Sequence, residues 1–83
     1  MIAAKTQEDV LPLQLLHANE EARVVELIGN ESQIHRLAEM GLRVGVTIRV
    51  VRAGTPCLLA LDGKRLSLRL SHDIEVLVAT RKC

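Results

Sequence analysis

Residues 57–70, CLLALDGKRLSLRL, leave the chain the least conformational choice. Leu66, Leu68 and Leu70 alternate strictly with Arg65, Ser67 and Arg69, the period of a strand with one face in a core and the other in water. The apolar run CLLALD (57–62) precedes it across Asp62-Gly63, a dipeptide suited to the positive φ angles of a tight hairpin turn. Other short runs fit the same class. ARVVELI (22–28) is β-branched and carries two apolar doublets, the pattern of a strand buried on both sides or broken by a bulge. VTIRVVR (46–52) alternates Val46, Ile48 and Val50 with Thr47 and Arg49, and IEVLV (74–78) sets Ile74, Val76 and Val78 on one side.

One segment reads as a helix. Asn30 can cap ESQIHRLAEM (31–40), with Gln33 three residues on, and Ile34, Leu37, Ala38 and Met40 form the apolar stripe. Gly41 suits a left-handed stop, and Leu42 would fold back on the last turn. LPLQLL (11–16) begins with Pro12 and predicts a short helical turn that packs Leu13 and Leu16 inward. Residues 1–10 read as a flexible leader and 79–83 as a tail. About five strands in 83 residues cannot cover both faces as a flat sheet. The expectation is a mainly β domain: a small barrel whose closure removes the sheet edges, with the 31–40 helix over one opening.

Composition narrows the function classes. Eleven basic and ten acidic residues give a net charge of +1, without the excess that phosphate neutralisation requires, and the absence of Phe, Tyr and Trp removes platforms for stacking bases. A nucleic-acid-binding barrel is therefore the disfavoured alternative. No nucleophile–base motif, phosphate-cradling glycine loop or paired-histidine metal motif is present, so the chain reads as a non-enzyme that requires no cofactor. His72-Asp73 reads as a solvated turn. Glu31, His35 and Glu39 share a helix face, which an exposed surface with His–Glu pairs explains. Holding a divalent ion is the alternative: His35, Glu39 and His72 are weak surface candidates for incidental zinc or ferrous iron, including a weak or metal-bridged homodimer. Cys57 reads as a small buried hydrophobe. Two cysteines do not make a disulfide framework, the apolar start Met1–Ala4 is cut short by Lys5, and no run has the ~20 apolar residues of a membrane helix. These point to a cytoplasmic protein without direct membrane insertion.

LAEMGLRVG (37–45), a helix ending in Met40-Gly41-Leu42 and followed by Gly45 and a Val/Ile strand, resembles the signature of the FeoA family. LPLQLL is similar to that family's opening Pro-Leu-x-x-Leu. ARVVELIGN, VTIRVVRAG, CLLALDGKRLSLR and IEVLV are similar to its successive strands, so the resemblance spans residues 11–78. It departs at Val44, where members often carry Pro, and in the short 53–56 loop. The resemblance implies an SH3-like barrel and a small cytosolic accessory of bacterial ferrous iron uptake. It implies as partner FeoB, the membrane permease with a cytoplasmic GTP-binding domain. SH3 domains hold proline-rich peptides in aromatic grooves, a mode closed to an aromatic-free chain. Partner contact is expected instead through Leu42, Arg43 and Val44 after the helix, with Arg49 and Arg52 on the next strand.

Overall fold

The computed structural model describes residues 7–69 and 73–82. Its elements are β1 (Gln7–Pro12), a 3-10 turn (Leu13–Leu15), β2 (Glu21–Ile28), α1 (Glu31–Glu39), β3 (Thr47–Arg52), β4 (Cys57–Leu61), β5 (Lys64–Leu68) and β6 (Glu75–Lys82). The six strands form one antiparallel sheet in the order β1-β6-β2-β3-β4-β5. This is the expected mainly β, SH3-like architecture with one helix, although with six strands rather than about five.

The hairpin behaves as its dipeptide requires. Leu61 pairs with Lys64, and between them Asp62 (φ 51°) and Gly63 (φ 72°) both take positive φ, which matches the right-handed twist of the flanking strands. The β2 doublets resolve as a bulge between Val24 and Glu26, so that Val24 and Leu27 face inward on either side of it. Val24, Ile48, Val50, Leu59, Val76 and Val78 then meet in a core built of branched aliphatics. Leu13 and Leu16 join that core from either end of the 3-10 turn, as their spacing predicts.

The helix starts and stops where the sequence places its signals. The Asn30 side chain accepts the Gln33 backbone N–H at 2.9 Å. The reciprocal half of the capping box is not made through Gln33 Oε1, which is buried without a hydrogen-bond partner among the described residues. At the other end Leu42 N–H donates to Leu37 C=O (2.9 Å) and Gly41 N–H to Ala38 C=O (3.0 Å), the paired bonds of a Schellman cap. Gly41 sits at φ 100°, where a side chain would be strained.

Two expectations are corrected. Residues 7–10 are not a loose leader and 79–82 not a tail, because they pair with each other from Gln7↔Lys82 to Val10↔Ala79. Backbone hydrogen bonds carry this pairing, and QEDV and ATRK show no apolar alternation that would announce it. The rest of those two segments, residues 1–6 and Cys83, lies outside the described residues. The sheet also keeps its edges, since β1 and β5 are its outermost strands and do not pair with each other. β2 covers β6 only from Glu75 to Ala79, whereas β1 follows β6 out to Lys82. The β1–β6 ribbon thus overhangs the body, in keeping with a molecule 45 Å long and about 25 Å across.

Candidate functional site

The loop from α1 into β3 supplies three of the expected partner-binding residues, and the structure separates them. Leu42 is fully buried, because the Schellman cap folds it under the helix into the core. It therefore leaves the candidate surface. Arg43 and Val44 remain exposed, Val44 at 60%. Gly45 N–H donates to Val24 C=O (2.8 Å) and Val46 N–H to Arg43 C=O (3.2 Å), so this turn is anchored on β2 while its tip stays in water.

Arg49 and Arg52 are exposed on β3, and strand register gives them company. Arg49 pairs with Ala60, and Ala60 pairs with Arg65, so the three form one row across β3, β4 and β5. The next row is Arg52, Leu58 and Ser67, brought into line by a shift between Val50 and Arg52. Inward neighbours Val50, Leu59 and Leu68 are buried, which leaves Arg49, Arg52, Arg65 and Ser67 on the outer face around half-buried Leu58 and Ala60. At the Thr47 end a shallow depression is bounded by Glu21, Asp62 and Gly63. Arg43 and Val44 precede β3, whereas Arg52 ends it, so the five expected residues do not make one cluster.

Arg65, Leu58 and Ala60 were not among the expected site residues. The two-residue hairpin could have found part of this: once 61 pairs with 64, 60 must pair with 65.

The metal candidates divide in the same way. His35 Nε2 lies 3.1 Å from Glu39 Oε2, one helical turn on, and both side chains are largely exposed. His72 lies outside the described residues. No group of three or more His, Cys, Asp or Glu side chains able to hold a metal occurs among the described residues. Cys57 is buried, and loss of solvent around it pushes its thiol pKa up. No helix among the described residues is long and apolar enough to cross a membrane.

The family model of the FeoA domain matches residues 11–78, from the end of β1 through the middle of β6. The chain belongs to the FeoA family. Among solved structures, the crystal structure of an iron uptake regulatory protein (FeoA) superposes with a TM-score of 0.75 at 27% identity. The alignment covers 84% of this chain and 95% of that one. No curated protein sequence matches the chain. Within the FeoA domain, the Met40-Gly41-Leu42 segment thus has a structural duty, ending α1 and supplying a core side chain.

Proposed function

We propose that the protein is a non-enzymatic cytoplasmic accessory of bacterial ferrous iron uptake that docks on the cytoplasmic part of the FeoB GTPase-permease and modulates transport. Membership of the FeoA family over residues 11–78 is the observation that carries this reading. The likeness to an iron uptake regulatory protein supports it. So does the surface: Arg43, Val44, Arg49 and Arg52 all face water, the mixture of arginine and aliphatic side chains from which an aromatic-free chain can build a contact. The test is co-purification with full-length permease in lipid nanodiscs, without nucleotide and with GDP or a non-hydrolysable GTP analogue. Complex formation is expected in at least one state, weakened by Arg43→Glu together with Val44→Asp. Failure of the wild-type protein to bind in every state would overturn the proposal.

A second reading rests on the His35–Glu39 pair, which offers two ligands to an incidental divalent ion such as zinc or ferrous iron. Calorimetric titration separates it from a dedicated carrier. A carrier needs affinity well below millimolar, and two exposed ligands are expected to give millimolar or weaker, about 4 kcal/mol of binding. His35→Ala should abolish even that.

A further inference from the structure

The surface of the described residues distributes its charge unevenly. Carboxylates lie on β1, β2, α1 and β6 and in turns, and some have partners: Glu39 meets His35, and Glu20 accepts the His17 backbone N–H. On the outer face of β3, β4 and β5 stand three arginines, Arg49, Arg52 and Arg65, none with an ion pair among the described residues. Arg49 and Arg65 are two strands apart, roughly 10 Å, across Ala60. Cations at this spacing repel mildly at physiological salt, where screening acts over about 8 Å. Leu58 and Ala60, half-buried between them, form a small apolar floor, and Ser67 adds a hydroxyl. Glu21 and Asp62 bound the patch only at its Thr47 end, next to Arg49.

We propose that this face is a docking surface for an acidic, extended protein segment. Its carboxylates meet Arg52 and Arg65, and an aliphatic side chain between them rests on Leu58 and Ala60. Guanidinium groups suit this role, because each presents a planar fork to a carboxylate and is weakly hydrated for a cation. The patch is polar along its length, since Glu21 stands opposite Arg49 in the β2–β3 pairing. Arg49 is therefore partly compensated, and the acidic end of the segment belongs at the Arg52–Arg65 side. A protein segment is favoured over nucleic acid by the aliphatic floor, by the absence of aromatic residues and by a net charge of only +1. The inference deepens the proposed function by stating what the partner presents, and it rests on that reading only for the partner's identity.

The test needs no permease. The full chain, isotopically labelled, is titrated with a capped octapeptide in which serine separates alternating glutamates and valines, so that both share one face of the extended peptide, and followed by backbone amide shifts. Shifts are expected at residues 49, 52, 58, 60, 65 and 67, with affinity falling at least about tenfold from ~50 to ~300 mM salt. Arg52→Glu/Arg65→Glu should weaken binding at least about thirtyfold, Arg49→Glu less, and Arg36→Glu on α1 by under about twofold. Shifts centred elsewhere, a double variant that binds like wild type, or a DNA duplex that binds more tightly than the peptide would each overturn the proposal. A permease that fails to bind while the peptide maps to this face would refute the partner and leave the surface standing.

Discussion

Leu42→Ala separates two roles that one residue could play, as a core side chain and as a contact for a partner. The structure assigns the first, since Leu42 has no exposed surface and packs within the core cluster. The substitution removes three carbons, which at about 0.8 kcal/mol each is about 2.4 kcal/mol of lost burial. A cavity remains, because the flanking backbone is held by the bonds from Leu42 N–H to Leu37 C=O and from Gly45 N–H to Val24 C=O. With that cavity the loss should reach about 3–4 kcal/mol. A domain of this size has roughly 4–12 kcal/mol of stability in all, so the variant should still fold at low temperature. Its Tm should fall by about 12–32 °C, at 4–8 °C per kcal/mol. Circular dichroism melts and urea titrations read this directly, and partner binding measured well below the new Tm should be unchanged. A loss under about 1 kcal/mol, or a stable variant that no longer binds its partner, would refute the core assignment.

Gly41→Ala should cost about 1 kcal/mol, read as a Tm drop of 4–8 °C. The cause is φ 100° and not crowding, because an added Cβ would sit 3.4 Å from Leu61 Cδ1, an ordinary contact. Asn30→Ala should cost about 1 kcal/mol by removing the acceptor for the Gln33 N–H and the Ser32 hydroxyl, whereas Asn30→Asp should retain most of the stability. The Cys57 thiol should resist alkylation at pH 8 in the folded protein and react promptly once urea unfolds it, because burial both blocks access and disfavours the thiolate. Its raised pKa also sets a sign. The folded state holds the Cys57 proton to higher pH than the unfolded chain does, so this group's contribution is complete below the unfolded value. It is lost as pH rises beyond about 8.5–9, and Cys57→Ala should flatten that alkaline decline in urea stability.

Where local chemistry and global packing ask for the same residue, the chain was legible. The Asp62-Gly63 turn, the Asn30 cap and the Gly41-Leu42 stop each need a particular side chain or a particular φ, and each sits where it was expected. The pairing of β1 with the end of β6 was not legible, because backbone bonds between polar stretches leave no periodic trace. Leu42 was ambiguous for a related reason. A Leu after a helix-stopping glycine satisfies a cap, yet a helix–strand turn is also a common contact point, and only the fold shows that the side chain is enclosed. The Arg49–Ala60–Arg65 row needed two registers at once. The hairpin gives one, but the 53–56 loop and the shift between Val50 and Arg52 hide the other.

The same hairpin that restricts the fold also restricts the interface. Side chains on a strand alternate faces, so a one-residue slip of β5 against β4 would turn Leu66 and Leu68 to solvent and Arg65 toward the core. Burying an unpaired guanidinium is prohibitive beside burying leucine, so the aliphatic core by itself selects the register that places Arg65 beside Ala60. The positive φ of Asp62 and Gly63 selects that register a second time, from the turn. An SH3-like sheet without aromatic residues cannot form the aromatic-lined groove of an SH3 domain. What its outer face can offer is arginine held in fixed rows by the sheet, and those rows are set by the residues that make the core.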